Sequence, residues 1–359
     1  MSAPPLVSII IVSWNSRADL ADCLASVAAQ RYAPTEIIVV DNASEDGSAE
    51  LVTTRFPNAT LIQNDINVGF AAAVNQGFAA ARGDILVELN PDTVVDSGWL
   101  EPLVTAAQRP NVGLVNPRIL LRDEPERINA CGNVVSLTGL TYCIGLGESA
   151  EQYAIPSTRP IPAISGAAFA ITRRCYEATG GLDDDYFTYF EDTDLSWRAR
   201  LAGFEMVLAA DAVIYHRYRF DMTPQKLYYI ERNRLMTLFA CLEPRTLLLL
   251  SPALVLGELI AWGFALLRGG RFVAAKWRSL TWLLRHRPQI QHKRNQIKRV
   301  VSDRTLVAQM TTNLPFAQSL PAFVAIPLAR LCRPLLRLNR WLIVGRGSRQ
   351  PQAPAVVNG

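Results

Sequence analysis

Gly83-Asp84-Ile85-Leu86-Val87-Glu88-Leu89-Asn90-Pro91-Asp92-Thr93 decides how the chain is read. Ile85, Leu86, Val87 and Leu89 make a short apolar run of strand length. It stops at Asn90-Pro91, because proline has no N–H to give a neighbouring strand and forces the residue before it out of helix. Asp92 then stands just past the carboxyl end of a core strand, where open α/β sheets place ligand chemistry. A carboxylate there can hold a hard divalent cation against a diphosphate. Asn-Pro-Asp is also an ordinary solvated turn, so the flanking sequence has to choose.

Upstream, Leu6 to Ser13 is a near-continuous apolar run, as in a strand buried on both faces of a parallel sheet. Leu20, Leu24, Val27 and Ala28 follow at helical spacing. Glu36 to Val40 reads as a second strand that ends at Asp41-Asn42-Ala43-Ser44. A short helix to Arg55, a third strand near 59–63 and a small-residue helix over 67–81 lead back to the opening stretch. This alternation predicts a right-handed βαβ series, an α/β fold with a mostly parallel central sheet and helices on both faces.

Downstream, 112–117 reads as another strand. Residues 118–160 are irregular, with Pro125, Gly132, Gly139, Gly145, Gly147, Pro156 and Pro160, and predict hairpins with a mobile loop over a substrate. Pro162 to Thr172 reads as a returning strand whose Gly166 lets a ligand approach the backbone. An acidic, aromatic loop from Gly180 to Phe190 runs into a helix from Glu191 to about Ala202, ended by Gly203. Met206 to Tyr215 is a last strand, with His216 at its end.

The composition shifts after Leu227. Thr246 to Leu267 is apolar apart from Ser251, Pro252 and Glu258, and is long enough to span a bilayer. Residues 268–300 then carry ten Lys and Arg and no acid, so the net charge of +4 over 359 residues hides a net acidic remainder. Leu320 to Val344 mixes apolar residues with Arg330, Arg333, Arg337 and Arg340. A basic block faces phosphates, of nucleic acid or of an anionic membrane. No recognisable nucleic-acid module accompanies it, which favours the membrane. A single span would put the block on the far side from a cytosolic domain, against the positive-inside tendency. The expectation is helices lying in or dipping into the leaflet, with Trp262, Trp277, Trp282 and Trp341 near the headgroups. The six cysteines form no C-x-x-C pair and read as reduced thiols. Met-Ser-Ala-Pro-Pro lacks the basic start of a signal peptide.

Polar residues recur where the strands of such a sheet end: Asp41-Asn42, Asn90-Pro91-Asp92, Glu191-Asp192 and His216. Each has an ordinary reading. Asp41 could start a turn, Glu191 and Asp192 could cap a helix, and His216 could be a plain strand-end histidine. Their recurrence at one edge argues for a site.

Val7 to Asn15, Val39 to Ser48, Asn67 to Gly77, Leu89-Asn90-Pro91-Asp92, Phe190 to Leu195 and Tyr228 to Arg234, in this order and spacing, resemble a family 2 glycosyltransferase of the GT-A fold. The likeness covers about residues 6–240 and runs to the rhamnosyltransferase-like branch that builds bacterial surface polysaccharides. It implies a nucleotide-binding half to about 117 and an acceptor half over 118–240; beyond it, composition predicts a helical membrane-associated region over 241–346 and a disordered tail over 347–359. The resemblance places Asp41 on the nucleotide base near Ser13 and Asn15, and Asn67 near the base or ribose. Gly69, Asn75, Asn90 and Gly166 complete the expected donor site. Asp92 matches the second acid of the family's Asp-x-Asp metal motif, with Asn90 in the first position, one charge fewer. His216 matches a histidine that ligates metal or diphosphate in relatives. Asp192 matches the catalytic base of the Glu191-Asp192 pair.

The implied activity is inverting, non-processive transfer of single sugars, rhamnose among the candidates. The donor is a dTDP- or UDP-sugar, the ion is Mn2+ or Mg2+, and the acceptor is a lipid-linked or glycan chain at the cytoplasmic face of a bacterial inner membrane. Val74 stands where many UDP-sugar members carry Arg, and the Gln-x-x-Arg-Trp motif of processive synthases is missing. A sugar nucleotidyltransferase would need a Gly-rich basic loop after the first strand, where this chain has Ser13-Trp14-Asn15-Ser16-Arg17. No G-x-G-x-x-G follows that strand, which excludes a nicotinamide dehydrogenase. An inactive membrane scaffold on the same fold is the non-catalytic alternative.

Overall fold

A computed structural model describes residues 3–152, 157–218, 221–314 and 322–345, with 322–326 as backbone only. In chain order the elements are β1 (Val7–Ser13), α1 (Arg17–Ala28), β2 (Thr35–Asp41), α2 (Ser48–Arg55), β3 (Thr60–Gln63), α3 (Phe70–Ala80), β4 (Ile85–Leu89), β5 (Thr93–Val95), α4 (Leu100–Ala107), β6 (Val112–Leu121) and β7 (Ile128–Ala130). Then come β8 (Asn133–Val135), β9 (Thr141–Cys143), β10 (Thr158–Pro160), β11 (Ala168–Thr172), α5 (Arg173–Thr179), α6 (Glu191–Leu201) and β12 (Glu205–His216). Six helices follow: α7 (Pro224–Cys241), α8 (Pro244–Arg268), α9 (Gly270–Arg285), α10 (Arg287–Gln296), α11 (Asp303–Ala308) and α12 (Ala322–Val344).

Two compact units emerge. The first takes residues 1–132, 145–199 and 204–219, and the second takes 133–144, 200–203 and the described residues from 220 onward. α7 falls in the second unit, where it packs with α8, α9 and α10. The expected tail over 347–359 lies outside the described residues.

In the first unit one sheet runs β10-β12-β6-β11-β4-β1-β2-β3, with β5 on β12 and β7 on β6. Every residue of β1 and β4 is buried, which accounts for their uninterrupted apolar sequence. β1 is parallel to both β2 and β4, as the βαβ reading requires. The sheet is more mixed than a mostly parallel one: β11 runs antiparallel to β4 and to β6, and β10 antiparallel to β12. A parallel neighbour needs a crossover, usually helical, and β11 is entered from a loop. The irregular stretch supplies the β8–β9 hairpin, which belongs to the second unit. Pro156 lies outside the described residues.

The acidic, aromatic loop is pinned to the start of α3. Phe70 and Ala71 N–H donate to the Phe187 carbonyl at 2.6 and 3.3 Å, and Asn75 Nδ2 donates to the Leu182 carbonyl and Asp184 Oδ1, both at 2.7 Å. Gly69, at φ +92°, is obligatory there, since a Cβ would lie 2.6 Å from the Phe187 ring. All six cysteines are free thiols, and burial pushes Cys23, Cys131 and Cys175 up to about 12.

In the second unit α7 is the hub. Its Glu231 and Arg234 are buried and pair with each other, with Glu258 of α8 and with Lys276 of α9. Pro252 interrupts α8 without a donor for the Leu248 carbonyl, and the Ser251 hydroxyl fills the gap at 2.7 Å.

Candidate active site

β12 ends at His216, paired across from Thr93 of β5, and the Arg217 N–H donates to the Asp92 carbonyl at 3.1 Å. This brings the two expected metal ligands side by side, with His216 Nε2 3.3 Å from Asp92 Oδ1. His216 Nδ1 lies 2.8 Å from Asn129 Oδ1. An amide oxygen only accepts, so Nδ1 carries a proton toward Asn129, and Nε2 is the ring nitrogen turned toward Asp92. Asp92 Oδ1 is buried and has no hydrogen-bond donor. An imidazole nitrogen and an orphaned carboxylate oxygen facing each other are atoms of the kind that ligate a cation. Asn90 stands next to them with its amide unbonded among the described residues, while its carbonyl accepts from Thr93 N–H and hydroxyl. No group of three or more His, Cys, Asp or Glu able to hold a metal occurs among the described residues. Asp92, His216 and the Asn90 oxygen thus suit an ion whose other ligands come from a bound diphosphate or water.

Asn90 N–H donates to the Ala167 carbonyl at 3.1 Å, which joins the end of β4 to the segment holding Gly166. Gly166 N–H donates to Asp192 Oδ2 at 2.9 Å, and Thr193 N–H and hydroxyl reach Asp192 Oδ1 at 2.6 and 3.2 Å. Ser196 locks the same segment by accepting from Ile164 N–H at 3.1 Å and donating to the Asp192 carbonyl at 2.7 Å. Asp192 is therefore oriented at the head of α6 before any substrate arrives. A Cβ on Gly166 would sit 3.3 Å from Glu191 Oε1 and 3.4 Å from Asp192 Oδ2, so the glycine keeps this corner open.

Glu191 is buried with Oε2 unpartnered, and burial, then the Asp192 charge, pushes its carboxyl up to about 8. Glu88, within β4, has neither carboxylate oxygen hydrogen-bonded. Burial raises its acid well above the ordinary range, and the charges of Glu191, Asp92 and Asp192 add to that. The site thus holds a buried, proton-retaining pair beneath the more exposed Asp92 and Asp192.

The donor-side residues gather at the ends of β1 and β2, where Ser13 is in register with Asp41. Ser13 is buried against the Ser16 hydroxyl at 2.9 Å. Asp41 Oδ2 accepts from Ser44 N–H at 3.1 Å, and its buried Oδ1 has no partner. That orphan acceptor suits an N–H of a ligand. Asn15 is a stitch between loops: its N–H donates to Ser44 Oγ at 3.0 Å and its Oδ1 accepts from Glu45 N–H at 2.8 Å. Asn67 Oδ1 accepts from Asn42 Nδ2 and Gly69 N–H, both at 2.9 Å. Asn75 is committed to Leu182 and Asp184, so its side chain holds the loop that caps α3. Gly69 likewise serves that loop contact.

Sequence reasoning missed Asn129, Asn116 and the full burial of Glu88. Asn116 Oδ1 accepts from Ser165 N–H at 2.5 Å and its Nδ2 donates to the Ala168 carbonyl at 3.2 Å, which sets the strand entry beside Gly166. A lone polar residue inside the apolar run of β4 was the available signal for Glu88.

The Glycosyl transferase family 2 profile matches residues 8–130. N-acetylglucosaminyl-diphospho-decaprenol L-rhamnosyltransferase of Mycobacterium tuberculosis is 27% identical over 234 residues, 59% of this chain and 76% of its own length. Residues 8–130 form a family 2 glycosyltransferase domain. The O-antigen biosynthesis protein RfbC of Myxococcus xanthus is 29% identical over 63% of this chain, which spans only 19% of that relative. Among solved structures, GalNAc-T7 with UDP, GalNAc and Mn2+ superposes with a TM-score of 0.56 at 18% identity, over 67% of this chain and 48% of its own. Residues 1–349 of S. aureus TarS superpose with a TM-score of 0.51 at 15% identity, over 94% of this chain and 90% of that one. At such identities the likeness speaks to the fold, and the fold is GT-A.

Proposed function

We propose that this glycosyltransferase is inverting and non-processive, moving one sugar, rhamnose being the leading candidate, from a dTDP- or UDP-sugar to a lipid-linked or glycan acceptor in bacterial surface-glycan synthesis. The likeness to a decaprenol-linked rhamnosyltransferase supports the sugar and the lipid-linked acceptor. Work at the cytoplasmic face of the inner membrane is part of the same reading, since sugar nucleotides are cytosolic. The observation that carries it is the fixed Asp192 carboxylate at Gly166, one backbone step from the Asn90–Ala167 link to Asp92 and His216.

Asp192 would take the proton of the acceptor hydroxyl as it attacks the anomeric carbon; a placed carboxylate base contributes about 10²–10⁴-fold. Asp92, His216 and Asn90 would hold Mn2+ or Mg2+. Such an ion, when bound, neutralises charge on the leaving diphosphate. Asp41, with its open Oδ1, would accept from the base, with Ser13, Asn15 and Asn67 shaping that pocket. Glu191, kept protonated by burial, would leave Asp192 the sole charged carboxylate of the pair. Attack opposite the leaving group inverts the anomeric centre.

The test is transfer and hydrolysis with a panel of nucleotide sugars by the wild type and Asp192→Asn, alongside calorimetric binding of nucleotide and Mn2+. Undiminished turnover in Asp192→Asn would remove Asp192 as base. Binding without turnover in the wild type would favour the inactive scaffold.

A further inference from the structure

The apolar helix α8 has the length and composition of a membrane span, yet it is fastened along one side to its own unit. Thr246, Leu250, Ala253, Gly257, Ala261 and Ala265 are buried at spacings of three and four residues. A Cβ on Gly257 would lie 2.9 Å from the Thr138 carbonyl, so the backbones meet closely there. Glu258, next to that glycine, pairs with Arg234 at 2.5 Å and with Lys276 at 2.8 Å, and both cations are fully buried. A helix held this way cannot leave its unit to cross a bilayer without taking Glu258 away unpaired and leaving buried Arg234 and Lys276 to share Glu231 alone.

The opposite side of α8 is apolar and bare. Leu248, Val255, Leu259 and Leu266 are exposed and lie on one helical face. Trp262 meets exposed Trp277 of α9, with ring centroids 6.1 Å apart. Asn339 of α12 donates to the Leu249 carbonyl at 2.6 Å, which sets a second stripe beside the first: Leu331, Leu335, Leu338 and Leu342, all exposed, with Trp341 next to them. Charge tells what covers it. Residues 244–345 hold sixteen Lys and Arg against two acids. Both acids are turned inward, Glu258 as above and buried Asp303 onto Arg299 and the Glu243 N–H. Arg245, Arg268, Arg271, Arg278, Arg330 and Arg337 are exposed around the stripes. An apolar face rimmed by cations and free of anions complements a leaflet of anionic phospholipid.

We infer that α8 and α12 lie in the plane of an anionic leaflet as a monotopic anchor, with α8 entering one leaflet and not spanning the bilayer. This deepens the membrane part of the proposed function and needs none of its sugar chemistry. The full chain is added to preformed vesicles of phosphatidylcholine, with and without phosphatidylglycerol, and floated. Binding is expected to require phosphatidylglycerol. Leu259→Gln and Leu335→Gln, at exposed positions, are each expected to weaken it about tenfold through lost apolar transfer. Arg330→Gln and Arg337→Gln are each expected to cost about fivefold, with the loss confined to anionic vesicles.

Topology is read on Arg245→Cys and Leu267→Cys, labelled by an impermeant maleimide after binding, against the parent chain. Both ends of α8 labelled from outside supports the inference; one end protected in the lumen means a span and overturns it, while leaving the membrane reading intact. No vesicle binding, with self-association in solution that Leu259→Gln abolishes, would assign the face to a second copy and overturn both. Transferase activity in soluble assays is independent of either result.

Discussion

Glu231→Gln measures what the buried charge cluster of α7, α8 and α9 contributes. Burial alone would raise the Glu231 carboxyl, but the charges and hydrogen bonds of Arg234 and Lys276 outweigh it and hold it near 2, against an ordinary 4.5. A drop of that size corresponds to about 3 kcal/mol, at roughly 1.4 kcal/mol per pKa unit. The sign follows from linkage: a depressed carboxyl stabilises the fold above its unfolded pKa and loses that contribution as pH falls toward its folded one. The gap between wild type and Glu231→Gln should therefore be about 3 kcal/mol or more at pH 7, because the variant also leaves Arg234 and Lys276 sharing only Glu258. It should shrink from pH 4.5 downward to about half a kcal/mol near pH 2, where Glu231 is itself half protonated. Urea unfolding of the full chain, followed through Trp262, Trp277, Trp282 and Trp341, reads the difference at each pH. Comparing the two proteins cancels the acids they share. Lys276→Met added to Glu231→Gln restores charge balance, so the double variant should be more stable than either single one. A gap below 1 kcal/mol at pH 7, or one that does not close in acid, would refute the reasoning.

Asp192→Asn should lower kcat by about 10²–10⁴ with little change in nucleotide affinity, checked by steady-state kinetics with donor varied. Asn129→Ala, which frees the His216 ring, should weaken Mn2+ binding about 10–100-fold in calorimetry while nucleotide binding without metal is unchanged. Glu88→Gln should stabilise the fold increasingly as pH rises above the ordinary carboxylate range, because a raised carboxyl gives its stability at low pH and loses it on ionising; melting at pH 5 and pH 8 reads this. Gly69→Ala should cost about 1–3 kcal/mol from its positive φ alone, and more from the Phe187 clash, seen as a lower melting temperature.

The fold was legible where burial imposes a pattern. β1 and β4 are buried throughout and β2 over its second half, and their polar ends are the candidate site. Asp41, Asp92, Asp192 and His216 stood out as candidates because charge at a strand or helix end is chemistry or a cap, and their recurrence at one edge argued for chemistry. Asn15 and Asn75 show the limit of that logic. Both stand in matched motifs, yet their side chains stitch loops: Asn15 to Glu45, and Asn75 to Leu182 and Asp184. The signal in sequence is a polar residue at a fixed place, and a residue that holds the site open looks the same as one that touches the ligand. Asn129 was invisible because the partner its side chain faces is a histidine 87 positions away. The direction of β11 was equally hidden, since an apolar run carries no polarity of its own.

The stretch Tyr228 to Arg234 settles differently from the other matched motifs. It lies on α7, in the second unit, and its charged residues face inward: Glu231 and Arg234 enter the buried cluster, while Arg232 stacks over Tyr229 and Trp282 at 5.1 and 4.7 Å. Each charge is matched by a partner from α8 or α9. A mobile surface helix has no use for such a cluster, because exposed pairs contribute little. A helix that must show an apolar face outward does, since desolvation on its inner side leaves paired charge as the contact that specifies register. Glu258 thus changes meaning with its partners. In an apolar run read alone it is a flaw in a transmembrane segment; paired with Arg234 and Lys276 it fixes which side of α8 stays with the protein, and so which side is left for lipid.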